Sequence, residues 1–398
     1  MLSEYPEVKY TATNPCGEQP LAANGSCNLG SINLNAFVRK AFTDEAYFDM
    51  TRFNEVVEDM ICGLDKLLDI LGERHALEEQ RQHVKDWREV GLGLMGMADL
   101  ALTMGLGYGT PQFIRVLDTI MHSMINTAVQ ASARLASEKG TFPKYDYRLI
   151  SESKFFKEVL TEETQELVRG FGLRNSRLLS IAPTGSISNI IGVSGGVEPY
   201  FMLGYQRIIK SIFEEEKAIW VYEKTPLLMM RHFKIDHHDY LPEWAKITSQ
   251  NIPFENRAQV QATIQKYVDT AISSTFNIPN DANTDAVVDI YMRGWELGFK
   301  GATVFRDNCK KIGILSNGGP NFDKNPAPKP EVAIEELWYD KYTGDLKSVS
   351  VKLKIEDSNY KVERVEREIC PVCASPLVKQ SGCTKCSNNE CVYEKCAL

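Results

Sequence analysis

Strands that run straight into helices leave a polypeptide few ways to fold, and this chain repeats that pattern. Leu178-Leu179-Ser180-Ile181-Ala182 reads as a short buried strand, and Pro183-Thr184-Gly185-Ser186-Ile187-Ser188 follows at once as a helix start. Ser274–Ile278 reads as another strand, Asp285–Leu297 as a helix and Ala302–Phe305 as the next strand. Strands alternating with helices predict a parallel α/β architecture. Upstream, Phe53, Val57, Met60, Ile61, Leu64, Leu68 and Leu71 keep the helical period, with Thr51 as the expected N-cap. Cys62 lies inside this helix and reads as structural. A second long helix is expected over Gln112–Lys139, stopped by Gly140. Between them, Gly91-Leu92-Gly93-Leu94-Met95-Gly96 lacks the preceding strand of a dinucleotide fingerprint, so its glycines are read as points of close helix packing.

Ser316–Pro330 (SNGGPNFDKNPAPKP) has the composition of a linker. This divides the chain into an α/β part over 1–315, a linker over 316–332, a β-rich segment over 333–368 and a cysteine-rich tail over 369–398. The net charge of −8 argues against a protein built to grip nucleic acid. No apolar run reaches the roughly 18 residues of a membrane span, and MLSEYPEVKYTATNP lacks the regions of a signal peptide. A cytoplasmic protein is expected. Cytosolic thiols are usually catalytic or metal-bound rather than paired in structural disulfides, which is the expectation for most of its ten cysteines.

Three segments carry chemistry. In Asn14-Pro15-Cys16-Gly17-Glu18 an amide, a thiol and a carboxylate alternate, so in an extended or loop segment all three can face one ligand. They supply a hydrogen-bond partner, a hydrogen-atom donor or acceptor, and a base. Pro183–Ser188 sets Thr184, Ser186 and Ser188 at a strand-to-helix turn, where free backbone N–H groups suit an anion such as phosphate. In the tail, Cys370 and Cys373 form a Cys-x2-Cys knuckle for a tetrahedral zinc ion, a staple that so small a module needs. The second pair is Cys383/Cys386 or Cys386/Cys391.

NPCGEQPL followed by SCNLGSINL, with Cys27 eleven residues after Cys16, resembles the finger-loop segment of ribonucleoside reductases. The short gap between the two cysteines is closest to the adenosylcobalamin-dependent class II. Ala182–Ser188, Ser194–Phe201 and Lys300–Asp307 resemble later reductase motifs in the same order, so the resemblance covers most of residues 12 to 310. It implies the C-terminal part of a ten-stranded α/β barrel, with the finger loop near the N-terminus and a small zinc ribbon at the C-terminus. It also implies roles. Cys16 is the thiyl radical that removes the ribose 3′-hydrogen, Glu18 the base at the 3′-hydroxyl, and Asn14 a holder of the ribose hydroxyls. Cys27 is one of two cysteines oxidised as the 2′-hydroxyl leaves. Pro183, Thr184, Gly185, Ser186, Ile187 and Ser188 hold the substrate phosphates. The tail resembles the class II tail with Cys370, Cys373, Cys386 and Cys391 on zinc, which leaves Cys383 and Cys396 as a shuttle that re-reduces the active site.

Class I reductases bring their radical in through adjacent tyrosines near the end of the barrel, where this chain has Val304-Phe305. Locally generated radical chemistry with adenosylcobalamin fits that substitution. Asp236-His237-His238 lacks the glycine of a common cobalamin-binding motif, which class II reductases are not expected to use. Only thirteen residues precede Asn14, and neither Cys62 nor Cys309 sits in a motif like the missing partner of Cys27. The expectation is therefore an enzyme half that reduces ribonucleotides beside a polypeptide carrying the first half, fed by a thioredoxin-like or other dithiol. The competing expectations are a catalytically silent fragment with a zinc-ribbon interaction module, and a class I fragment served by a separate radical subunit.

Overall fold

The structure, a computed structural model, describes residues 1–209 and 217–307 and, beyond them, the backbone of six strands. The chain divides into two compact units, Met1–Gly319 and Pro320–Leu398.

In the first unit, strand segments at Asn28–Asn33, Val90–Met95, residues 178–181, Thr275–Ile278 and Thr303–Arg306 lie side by side in chain order. Asn28–Asn33 pairs parallel with Val90–Met95, and Thr275–Ile278 with Thr303–Arg306. Parallel bridges Leu92↔Leu179 and Ile181↔Ile272 complete the run. Each crossover between neighbours carries at least one helix, as parallel strands require. The expected α/β alternation is thus present. The strand expected at Ser274–Ile278 begins one residue later, and the strand expected at Ala302–Phe305 spans Thr303–Arg306.

The glycine-rich stretch is a correction. Val90–Met95 is itself a strand, buried along its whole length, and not a site of helix packing. Its glycines serve strand packing instead: a Cβ on Gly93 would stand 2.5 Å from the Ser180 carbonyl oxygen of the neighbouring strand. Alternating Gly and Leu mimics no helical period, and a strand buried on both faces shows no polar alternation either.

The two long helices span Met50–Leu71 and Pro111–Lys139. Asp49, not Thr51, caps the first by accepting a hydrogen bond from the Arg52 N–H. Thr110 caps the second, and Gly140 ends it at φ 81°. The helices pack on each other, and Phe53, Ile61, Phe113, Leu117, Ile120 and Met121 fill the space between them and the strands. Each such side chain contributes about 1.5–3 kcal/mol on burial. Cys62 lies on the first helix, half-buried against this core. Buried Asp65 ties the helix to two further segments, accepting from Arg88 Nη2 at 2.7 Å and Asn175 Nδ2 at 3.1 Å.

In the second unit, Val332–Tyr339, Leu346–Glu356 and Asn359–Glu368 form an antiparallel three-stranded sheet. Leu377–Gln380, Cys383–Cys386 and Glu394–Cys396 form another, whose register sets Cys383 opposite Cys396. Cys309, the expected linker and the tail cysteine side chains, Cys370, Cys373, Cys386 and Cys391 included, lie outside the described residues.

Candidate active site

Residues Tyr10–Thr13 and Pro20–Ala22 form an antiparallel hairpin whose tip is the Asn14–Gln19 loop. The loop closes on itself. Asn14 N–H donates to the Gln19 carbonyl at 3.2 Å, Gln19 N–H to Asn14 Oδ1 at 3.0 Å, and Gly17 N–H to the Asn14 carbonyl at 3.1 Å. Gly17 sits at φ 81°, a conformation that glycine adopts without strain. Asn14 thus spends its side-chain oxygen on the loop and leaves Nδ2 to offer elsewhere.

The strands then fix the loop in place. Ala271 N–H and Ser180 Oγ both donate to the Glu18 carbonyl, at 3.1 and 3.0 Å. Arg177, itself buried, donates from Nη1 to the Pro20 carbonyl at 2.5 Å and stacks its guanidinium 5.0 Å from the Tyr10 ring. One cation therefore grips both strands of the hairpin. A 3.0 Å ion pair to Glu89 compensates its charge, and His83 bonds the other Glu89 oxygen at 3.2 Å. At the tip Cys16 is exposed, while the Glu18 side chain is 2% exposed with no partner for Oε2. The structure brings Asn14, Cys16 and Glu18 together on one loop.

Cys27 lies just before the Asn28–Asn33 strand, beside Gly91 and Gln19. Burial holds its thiol well above the ordinary range, the Glu89 carboxylate pushes the same way, and the Arg177 cation opposes both.

The second candidate segment grows from the strand that anchors the loop. After Ile181 the chain turns at Thr184, which adopts the left-handed conformation at φ 57°, and a seven-residue helix runs over Gly185–Ile191. The N–H groups of a first turn have no intrahelical acceptor and face outward as donors. The three hydroxyls divide. Ser186 is exposed, Ser188 is buried, and Thr184 Oγ1 accepts from the Gly196 N–H at 2.9 Å. The Ser194–Tyr200 turn wraps the loop. Buried Asp99 clasps both ends, accepting from Ser194 N–H at 2.7 Å and Tyr200 Oη at 2.5 Å. Glu198, within the turn, ties it to the next strand, accepting from Thr275 N–H at 2.8 Å and Arg257 Nη2 at 2.9 Å. Sequence inspection missed Asp99, Arg257, Arg177 and Gln19. Gln19 sits unremarked inside the NPCGEQPL motif, and the other three are isolated charges outside any short motif.

Parallel strands in chain order thus carry a thiol-bearing hairpin and end at a hydroxyl-rich turn. Residues 6–305 match the family model "Ribonucleotide reductase, barrel domain", and the chain belongs to that family. It is 30% identical over 330 residues to the vitamin B12-dependent ribonucleoside-diphosphate reductase of Mycobacterium tuberculosis (strain CDC 1551 / Oshkosh), covering 78% of this chain and 44% of that protein. The enzyme of the same description from Thermoplasma acidophilum is 30% identical over 344 residues, covering 83% and 42%. The chain thus spans less than half the length of these relatives. The Actinobacillus ureae class Id ribonucleotide reductase alpha subunit superposes with a TM-score of 0.57 at 20% identity, covering 76% of this chain and 54% of that one. This supports the fold.

Proposed function

We propose that this chain supplies the C-terminal half of an adenosylcobalamin-dependent ribonucleotide reductase and acts together with the first half of that enzyme. One observation carries the reading: a single strand serves both candidate segments. Ser180 holds the Glu18 carbonyl, and the turn that begins at Pro183 lies three residues further along. At about 3.3 Å per residue that is about 10 Å, close enough for one nucleotide to touch both segments.

In this arrangement Cys16, as a thiyl radical, takes the ribose 3′-hydrogen, and Glu18 accepts the 3′-hydroxyl proton through the oxygen that no protein group occupies. Asn14 Nδ2 donates to a ribose hydroxyl. As the 2′-hydroxyl leaves as water, Cys27 and a cysteine of the enzyme's first half supply two electrons and become a disulfide. The backbone N–H groups of Gly185, Ser186 and Ile187 and the Ser186 hydroxyl receive the phosphates, with Thr184 and Ser188 shaping the turn. Pro183 ends the strand there.

Two features of this chain suit a locally made radical: Cys16 is exposed at the loop tip, and the Thr303–Arg306 strand carries Phe305 where a tyrosine relay would stand. Adenosylcobalamin, when bound, supplies an organic radical able to take a hydrogen atom from a thiol. Zinc on Cys370, Cys373, Cys386 and Cys391 would staple the tail, whose thiolate donors suit that ion. The backbone register of Cys383 and Cys396 supports their reading as a shuttle, recharged by a thioredoxin-like dithiol in a reducing cytoplasm.

The five strands form half of a ten-stranded barrel in this reading. Leu29 and Phe305, on the two outermost strands, are exposed, as surfaces awaiting cover would be. The test is deoxyribonucleotide formation by the chain co-expressed with a first-half polypeptide, given ribonucleoside di- or triphosphates, adenosylcobalamin and a dithiol. Turnover that needs both chains and cobalamin, and is abolished by Cys16→Ser, is expected. A folded pair that turns over nothing would overturn the assignment.

A further inference from the structure

Gln19 follows the loop glutamate, is 3% exposed, and leaves both of its amide atoms without a hydrogen-bond partner. Buried amides are rarely left so, because each unmet donor or acceptor has given up water for nothing. The amide faces a small space opened by Gly91. A Cβ built there would lie 2.9 Å from Gln19 Nε2, 3.0 Å from Cys27 Sγ and 2.7 Å from Leu29 Cδ2. Gly91 is buried inside its strand, so the missing side chain is what lets the amide and the sulfur share this space.

The protonated Cys27 thiol donates to the Asn28 carbonyl, at 3.5 Å. A neutral sulfur is a weak acceptor; a thiolate is a strong one. The charged groups around Cys27 are already engaged. Glu89 binds Arg177 and His83, and Asp269 accepts the Leu178 and Leu179 N–H groups at 3.0 and 2.7 Å. Gln19 Nε2 is an idle donor next to the sulfur.

We propose that Gln19 is a positioning residue for Cys27, holding the sulfur over Gly91 and donating its amide N–H to the thiolate. This rests on the reading of Cys27 as a redox cysteine, but its test does not. The hydrogen bond forms as the thiol loses its proton to solvent, so Gln19 favours the thiolate that burial and Glu89 disfavour. The amide would thereby ready Cys27 for thiol–disulfide exchange, in which the thiolate is the attacking form.

The experiment follows iodoacetamide alkylation of the full chain against pH, in which the thiolate displaces iodide and forms a carbon–sulfur bond. Cleavage after Glu18 separates the Cys16 and Cys27 peptides for mass spectrometry. Gln19→Met keeps the volume and removes the donor, whereas Gln19→Glu replaces the donor with a carboxylate. In Gln19→Met the Cys27 profile moves up by about one pH unit, about tenfold slower at any pH below it, and Gln19→Glu moves it further. The Cys16 profile stays where it is in both. A wild-type Cys27 profile in Gln19→Met overturns the proposal, and so does an equal shift at Cys16, which would mean that the loop had merely been disturbed. No substrate, cofactor or second polypeptide enters, so absent turnover and an unmoved thiol are separate failures.

Discussion

Gly93→Ala tests whether the strands approach each other as closely as the structure shows. The added methyl would lie 2.5 Å from the Ser180 carbonyl oxygen and 3.3 Å from Ile181 Cα, both backbone atoms of the neighbouring strand. No side chain can swing aside. Relief requires the two strands to part by several tenths of an ångström, and overpacking of this kind costs about 1–3 kcal/mol. Gly63→Ala is the matched control. Gly63 lies within the Met50–Leu71 helix, where an added Cβ meets nothing within 4 Å. The same methyl there removes backbone freedom from the unfolded chain and stabilises by about 0.5–1 kcal/mol. Thermal unfolding of the full chain reads both. At about 2 °C per kcal/mol for a unit of this size, Gly93→Ala lowers Tm by about 2–6 °C while Gly63→Ala raises it slightly. A Gly93→Ala variant as stable as the parent would refute the packing argument. A loss at Gly63 would refute the assumption that open space decides the sign.

Two further outcomes are expected. Arg257→Ala removes the 2.9 Å pair to half-buried Glu198, which keeps the Thr275 N–H, and a 2.6 Å bond to Ser274 Oγ; losing hydrogen bonds made by a charged group costs about 1.5–3 kcal/mol, measured by denaturant unfolding, whereas a loss under 1 kcal/mol would show that the pair does not organise the turn. Tyr5 bonds Asp146 through its hydroxyl, and burial pushes the phenol up to about 12 from an ordinary value near 10. The native state therefore holds that proton more tightly than the unfolded chain. Its contribution is complete below pH 10 and is lost as pH rises through about 12. Tyr5→Phe should unfold more easily at neutral pH, yet lose less stability across that alkaline window; parallel pH curves for the two proteins would contradict this.

How legible all this was depended on how local each signal was. The long helices were readable because their apolar faces repeat over five or more turns, and Gly140 ends one of them as expected. The N-cap was misplaced by two residues because Asp49 and Thr51 both carry capping oxygens, and only the backbone decides between them. Val90–Met95 was misread because Gly93 answers to a strand about 87 residues away in sequence, a dependence no local window contains. The Asn14–Glu18 loop stands out as a motif because its three polar side chains are nearly contiguous. Its supports do not: Ser180, Ala271 and Arg177 reach it from distant strands.

Those supports follow a rule that separates scaffold from chemistry. A buried charge is costly unless its partners are complete, and the buried carboxylates of Asp99, Asp65 and Glu89 are each engaged by two or more donors or cations. Each sits where a strand end or a helix must hold a loop, so the partners return the cost of burial as fixed geometry. Glu18 and Gln19 depart furthest from it, since scaffold cations such as Arg177 and Arg257 leave one nitrogen idle but engage the others. The two loop residues are as buried as the scaffold charges, yet Glu18 Oε2 and both Gln19 amide atoms are unpaired. Their main chain is the part that the strands secure, through the Glu18 carbonyl. A fold that fastens the backbone of two neighbouring residues and leaves their polar ends idle has kept those ends for something else. Under the proposed function those ends serve the reaction from residues 14–19, and the buried network around them holds the loop still.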